Sequence, residues 1–371
     1  MALLTDPERA LFRHLAVFGG GFDLEAAEAA CTPAGADSPS DVLDLLTNLV
    51  DKSLLQVDAI RENARYRYLE PVRQYASEQL ATSPDAHSIR RRHAAFYLAL
   101  AERAAPALFG PHQREWFKRL EQDHDNLRIA LRWSQPGTAS EDRAQLHLRL
   151  AVALGRFWLA CCHFSEGTRW LAGTLAIPAP PELRARQLLW AGLLARYQGD
   201  FPRSLALLDE SRRLSEQAGD SATAAWACGP MGAMYLDAGD LEQAEELLQA
   251  AVAFSRTASE PRILGVALAS LGEARRAQGE YAAAVVMYEQ AVAQASLAGD
   301  PHLEAGVLGS LAQAIALQGD YPRAVELLAR SLDLAEEPRR STALRDECRS
   351  RGRAPGVAGP GGRRGALARC Y

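Results

Sequence analysis

Lysine is almost missing from this chain: of its 41 basic residues only Lys52 and Lys118 are lysines, and the rest are arginines. Abundant alanine beside this bias points to a GC-rich coding sequence. The shortage still has a chemical consequence. A phosphate-binding P-loop needs a lysine directly after a glycine, with a second glycine five residues earlier. Lys52 is followed by Ser53, but Leu46 and Asp51 occupy the glycine positions, and Lys118 is followed by Arg119. No Walker A site is present, and no bound cofactor is expected.

Cysteine is scarce and scattered. Cys31, Cys161, Cys162, Cys228, Cys348 and Cys370 form no CxxC and approach no histidine at zinc-finger spacing, which leaves no metal framework. They read as free apolar residues in a reducing cytoplasm. Long apolar runs are also lacking. The best, Leu148–Phe164, is interrupted by Arg149, Arg156 and His163 and reads as a buried helix, not a membrane span. Asp6 and Glu8 near the start, with no apolar core behind them, exclude a signal peptide. A net charge of −5 gives no general attraction to nucleic acid or anionic membranes.

What is present is an ordinary globular composition, 48% apolar and 23% charged over 371 residues, enough for two or three domains. The charge is uneven. Residues 338–371 carry nine arginines against Asp346 and Glu347, so the remaining 337 residues carry −12.

The second half is repetitive. Gly199-Asp200-Phe201, Gly239-Asp240-Leu241, Gly279-Glu280-Tyr281 and Gly319-Asp320-Tyr321 recur every 40 residues. A weaker set, Gly219-Asp220, Ser259-Glu260 and Gly299-Asp300, falls half a period on. Glycine suits the left-handed residue that ends a helix, and the following acid suits the start of the next. The unit is therefore a helix–turn–helix. Gly192, Gly232, Gly272 and Ala312 precede the turns by seven residues, and Ser204, Ala244, Ala284 and Ala324 follow by five. Leu208, Leu248, Tyr288 and Leu328 complete an alternation of small and large rows. This resembles the tetratricopeptide repeat (TPR), with its period stretched from the usual value of about 34.

The first eighty residues read differently. Thr5-Asp6-Pro7-Glu8 is a capping box, and Leu11, Leu15 and Phe18 follow at helical spacing. Gly19-Gly20-Gly21 reads as a turn, because no lysine or helix-opening hydroxyl follows it in register. Helices over Asp23–Cys31 and Ser40–Lys52 come next, then a hairpin of strands Leu54–Val57 and Tyr66–Leu69 around Arg61-Glu62-Asn63, then a closing helix Pro71–Leu80. That order is a winged helix. Its third helix would enter a major groove, yet residues 1–80 hold seven basic and thirteen acidic residues. Asp41, Asp44 and Asp51 face Lys52 alone, which argues against counterion displacement from phosphates.

The expected architecture is mainly α. It has a winged-helix domain (1–82), a helical linker (83–142), a degenerate TPR-like pair (143–180), four repeats (181–337) and a disordered Arg/Gly-rich tail (338–371). The degenerate pair places helices on either side of Cys162-His163-Phe164, with Phe157, Trp158 and Trp170 in its core. The tail reads as a frameshifted or truncated end more readily than as a functional one, leaving the solenoid without a polar cap.

Several stretches carry a family resemblance: Leu11–Phe22, Leu49-Val50-Asp51-Lys52-Ser53-Leu54, Tyr68–Ala76, Arg91–Glu102 and Glu121–Arg128. Together they resemble the region C-terminal to the nucleotide-binding domain in bacterial STAND/NB-ARC-like predicted ATPase regulators of the LuxR/SARP type. The resemblance implies an ATPase core that this chain lacks, so ATP would belong to that missing core. It also implies a winged helix that packs on the core, and TPRs that sense an effector or bind a partner. Tyr68-Leu69-Glu70 stands where plant and animal relatives carry Met-His-Asp, with Leu69 in place of the histidine, and no ATP-binding residue carries over.

No nucleophile–base set stands out, and the chain reads as non-enzymatic. His93 and His124 lie in helical segments, and a helix would place Glu121 and Asp125 together with His124 beside them, which reads as a solvated or linker-packing face and not as a metal site. Arg90-Arg91-Arg92 read as pairing with acids of the linker or contacting a partner. Projecting the first helix of each pair onto a concave groove gives Arg196, Tyr197, Trp226, Glu273, Arg276 and Gln313 as the partner-binding residues. Ser270 stands where a carboxylate-clamp TPR has asparagine, which argues against a clamp for C-terminal tails. The partner would be a protein, peptide or small effector, with an ATPase core in trans as a further one. The alternative is a DNA-binding transcriptional regulator acting through the winged helix or the arginine tail.

Overall fold

The computed structural model describes residues 4–31, 40–60, 63–110, 112–135 and 140–336. The expected tail over 338–371 and the hairpin tip at Arg61-Glu62 lie outside the described residues. The elements, in order, are α1 (Asp6–His14), β1 (Gly21–Phe22), α2 (Leu24–Cys31), α3 (Ser40–Asp51), β2 (Gln56–Ile60), β3 (Asn63–Arg67) and α4 (Glu70–Ala81). There follow α5 (Ala86–Ala107), α6 (Gln113–Gln122), α7 (His124–Ser134), α8 (Glu141–Ala153), α9 (Gly155–Ala160) and α10 (Phe164–Ala172). The described residues continue with α11 (Pro181–Tyr197), α12 (Phe201–Ala218), α13 (Ser221–Ala238), α14 (Leu241–Ala258), α15 (Pro261–Ala277), α16 (Tyr281–Leu297), α17 (Pro301–Leu317) and α18 (Tyr321–Glu336). Two compact units result: one gathers α1–α8, the three strands and the segment 173–177, and the other gathers Phe109 and α9–α18.

In the first unit, Thr5 opens α1 with both halves of the capping box in place: its hydroxyl accepts from Glu8 N, and Glu8 accepts from Thr5 N. The strands correct the sequence reading. They run over Gln56–Ile60 and Asn63–Arg67, shifted from the expected spans, and Gly21–Phe22 adds a third strand in the order β1-β3-β2, all antiparallel. The shift has a local cause. The chain is still closing α3 beyond residue 52: Ser53 is left-handed (φ 57°), and the amides of Leu54 and Leu55 donate to Leu49 O at 2.9 and 3.3 Å. Pairing starts only after that cap. At the other end Tyr68 turns inward, its hydroxyl donating to Phe12 O at 2.5 Å and its ring meeting Phe12 edge-on.

The unit buries Phe12, Leu15, Phe18, Phe22, Leu46 and Leu49 with Ile89, Tyr97 and Leu100 of α5. The Gly19–Gly21 segment is fastened by α7, since Asn126 accepts from Gly19 N (2.8 Å) and donates to Gly21 O (2.9 Å).

The second unit is a regular run of helix pairs only in its repeating part, α11/α12, α13/α14, α15/α16 and α17/α18. Gly199, Gly219, Gly239, Gly279, Gly299 and Gly319 all take positive φ, and Ser259 takes the same conformation at φ 55°. Asp200, Asp220, Asp240 and Asp300 cap the next helix through their side chains. The small and large rows interlock in the first three pairs; in the fourth, Leu328, expected to fill the interface, is 45% exposed instead. A Cβ on Gly192 would meet Leu208 Cγ at 2.8 Å, on Gly232 Leu248 Cγ at 2.6 Å, and on Gly272 the Tyr288 ring at 2.8 Å. Only glycine lets these paired helices approach so closely. Ser204, Ala244, Ala284 and Ala324 are buried beside them.

Ahead of the repeats, Phe157, Trp158 and Trp170 are core residues. Cys162 replaces the missing turn glycine by itself adopting φ 60°. The last helix, α18, leaves Tyr321, Val325, Leu328 and Leu332 exposed along one face.

Candidate functional site

Two surfaces could meet a ligand, and each belongs to one unit. On the winged helix, Asp44 and Asp51 of α3 are exposed, so the helix presents acid where a DNA reader presents base. Lys52 at its end is engaged: its ammonium lies 2.7 and 2.6 Å from the two carboxylate oxygens of buried Glu8. That hydrogen bond, with the one from Thr5 N, holds the Glu8 carboxyl below its ordinary range.

The motif residues of the linker are structural. Asp123 is buried between Arg65 of β3 (2.8 Å) and Arg119 of α6 (2.7 Å), and Arg119 reaches on to Asp23 at 2.5 Å. Asp125, expected on a shared face, is exposed and pairs with Arg128 at 3.2 Å. Arg92 donates to the carbonyl of Ala30 at 2.9 Å instead of pairing with an acid. His93 is fully buried against Phe18 and Tyr97, and burial pushes its pKa down to about 3. A neutral, packed imidazole is a core group. Cys31 and Cys228 are likewise buried, their thiols pushed up to about 12 by desolvation, so neither is a ready nucleophile.

In the solenoid, the six residues expected to line a groove fall into separate groups. Arg196 and Tyr197 end α11, the guanidinium 5.9 Å from the Tyr197 ring centroid, and Phe164 stacks on that ring at 5.3 Å. Glu273 and Arg276 of α15 pair at 2.5 Å, one turn apart. Gln313 of α17 is exposed. Trp226 of α13 joins a cluster that the sequence reading passed over. Its ring lies 5.5 Å from Phe109, and Arg262 of α15 stands 5.7 Å from Trp226 and 5.3 Å from Phe109. Arg156 of α9 stands 5.0 Å from the same Phe109 ring. Arg262 is bound at 2.8 Å by Asp300, which also accepts from the amides of His302 and Leu303 at the head of α17. The available signal was Arg262 itself. Its register equivalents, Glu182, Ala222 and His302, are not arginine, so the residue breaks the repeat instead of following it.

Among the described residues no helix is long and apolar enough to cross a membrane.

Comparison with known proteins finds two families in the chain. The family described as a winged helix-turn-helix domain matches residues 4–81, and the tetratricopeptide repeat family matches residues 263–337. The chain is thus a winged helix-turn-helix domain followed by a TPR-like α-solenoid. It is similar to a Mycobacterium tuberculosis protein named provisionally as an HTH-type transcriptional regulator, at 37% identity over 242 residues, or 62% of this chain and 26% of that protein. An uncharacterised M. tuberculosis protein is 44% identical over 92 residues, 25% of this chain and 23% of the other. The chain therefore spans about a quarter of the curated relatives it matches. Among solved structures it is similar to a signal transduction ATPase with numerous domains (STAND) bearing a tetratricopeptide repeat sensor, from Pyrococcus horikoshii. Identity there is 14% and the TM-score 0.39, covering 95% of this chain and 63% of that one. MamA from Desulfovibrio magneticus aligns with 52% of this chain and 97% of its own at 20% identity and a TM-score of 0.38. Likeness at this level carries no functional inference.

Proposed function

We propose that this chain is the winged-helix, linker and TPR portion of a STAND-type cytoplasmic regulator, acting as a non-catalytic arm that senses an effector or binds a partner through its solenoid. The observation that carries the reading is the contrast between the two surfaces. The helix that would read DNA is acidic, and its lysine is held by Glu8. The first helices of the repeats offer guanidinium and aromatic groups, the side chains that dominate protein recognition. TPR repeats are an interaction scaffold, and the motifs shared with STAND regulators supply the setting: an ATPase core, here in trans or elsewhere in a longer protein, to which the winged helix passes the signal.

The test is charge reversal. The double variant Arg196→Glu/Arg276→Glu, folded by circular dichroism, is expected to lose a partner that the wild-type chain retains on a column. Full retention would sink the groove as the binding surface.

A second reading, DNA binding by the winged helix, is favoured by the name of the mycobacterial relatives. A gel shift at physiological salt separates the two, because sequence-specific binding that survives salt is direct readout and not counterion release.

A further inference from the structure

The cluster around Phe109 holds more positive charge than its surroundings neutralise. Arg156 and Arg262 approach one aromatic ring from within 5.3 Å, near enough that Arg262 helps depress the charged form of Arg156. Burial is the larger cause, and together they bring the pKa of Arg156 down to about 10. At neutral pH both remain cations. The carboxylate between them is Asp300, which is committed to Arg262 and to two amides of α17. One unit of positive charge is left over.

The hydrogen-bond account leaves the same remainder. Arg156 Nε and Arg262 Nη1 are buried and have no partner among the described residues. An aromatic ring against a guanidinium occupies its face and leaves the in-plane N–H donors free. A buried, unmatched guanidinium donor is costly, and two on neighbouring arginines at one aromatic cluster form a site waiting for an acceptor.

We propose that Arg156 and Arg262, walled by Phe109 and Trp226, form a pocket for a singly charged carboxylate that carries an aromatic or apolar body. The charge chooses the anion class: one negative charge neutralises the pocket, whereas a phosphate dianion would invert it inside apolar walls. The aromatic rings choose the body. The proposal rests on reading the solenoid as the binding arm and specifies what it binds there. The same chemistry is offered by a small aromatic acid or by an acidic side chain next to an aromatic one in a peptide.

The experiment uses the full chain labelled with 5-fluorotryptophan, with the Trp226 resonance identified through Trp226→Phe. Fluorine spectra are followed during titration with N-acetylphenylalaninate, its neutral amide, inorganic phosphate, and the capped peptide acetyl-Ala-Glu-Phe-Ala-amide. The Trp226 signal is expected to shift with the free acid, the peptide or both, the responding probe naming the source, and to stay put with the neutral amide and phosphate. Arg156→Gln should weaken that binding by about tenfold to a hundredfold, the worth of a charge-assisted hydrogen bond. Arg156→Lys, which keeps the charge without the fork, should fall between. Because Arg156→Gln removes an unmatched buried charge, its melting temperature should equal or exceed that of wild type, so loss of binding is not loss of fold. No shift with either carboxylate, an equal response to phosphate or the amide, or unchanged affinity in Arg156→Gln overturns the pocket. Such a failure leaves the Arg196/Arg276 test standing, so the broader reading is judged separately.

Discussion

Lys52 at the end of the third helix gives its ammonium to both oxygens of Glu8 in the first helix, at 2.7 and 2.6 Å. The same carboxylate completes the capping box with Thr5, so one acid closes a helix start and neutralises the lysine of the acidic α3. Glu8→Gln and Lys52→Met should each lower the urea midpoint, and the double variant should lose less than their sum, as paired residues do. Because the folded Glu8 carboxyl is held below its ordinary range, its contribution is complete above that range and disappears as pH falls through the lowered value. Additive losses would show that the pair does not act as a unit.

Two helical glycines of the solenoid, Gly232 in α13 and Gly309 in α17, should answer oppositely to alanine. At Gly232 a Cβ would lie 2.6 Å from Leu248 Cγ and 3.2 Å from Ala244 O, whereas at Gly309 nothing lies within 4 Å. Gly232→Ala should cost about 1–3 kcal/mol by overpacking. Gly309→Ala should stabilise by roughly 0.5–1 kcal/mol through helix propensity. Thermal melts of the two variants decide this, and adding Leu248→Ala to Gly232→Ala should relieve the clash at the price of a smaller core.

Acidification should loosen the first unit. Burial holds His93 at about 3 and His147 at about 4, while in the unfolded chain both take up a proton near pH 6.5. The unfolded state therefore binds more protons below that pH, and stability falls as pH drops. The slope is about 1.4 kcal/mol per pH unit per histidine, or about 2 kcal/mol for His93 at pH 5. Urea unfolding at pH 7.5 and at pH 5 measures the difference. His93→Gln should remove most of its share, and an unchanged slope in that variant would count against the assignment.

The exposed face of α18 can be charged without harm. Val325 and Leu332 are 64% and 62% exposed, so Val325→Glu and Leu332→Glu should change stability by no more than about 0.5 kcal/mol. Val252→Glu, at the buried register equivalent of Leu332 two repeats earlier, should unfold its repeat. A large loss at Val325 or Leu332 would mean that something covers this face in solution, and light scattering of wild type and variant would show whether a second copy does.

The solenoid was legible because its signals are local and repeated. A turn glycine needs only its own φ, and the Gly192–Leu208, Gly232–Leu248 and Gly272–Tyr288 contacts recur at one spacing, so each repeat checks the others. The winged helix was legible in order but not in register. The spans of β2 and β3 depend on how far the cap of α3 runs past Lys52, which Ser53 decides through a left-handed conformation that its residue type does not advertise. β1 was missed for a different reason. Gly21 carries no strand signal, and its place beside β3 is secured from Asn126, more than a hundred residues away in sequence. The arginine cluster was invisible for the same cause: Phe109, Arg156, Arg262 and Asp300 sit in four separate segments, and nothing in the chain order brings them together.

The interlocked glycine rows also set the mechanics of the solenoid. A leucine or tyrosine seated in the notch left by a missing Cβ blocks sliding between the two helices of a pair, so each of the first three pairs moves as a rigid block. Flexure must then be concentrated at the joints between blocks, at Gly219, Ser259 and Gly299. The joint at Ser259 lacks the freedom of glycine, and the one at Gly299 runs straight into Asp300, which is tethered to Arg262. Of these joints the one at Gly299 is held more firmly than the one at Gly219: Asp300 grips half-buried Arg262 at 2.8 Å, whereas Asp220 beside Gly219 reaches only exposed Arg186 at 3.4 Å.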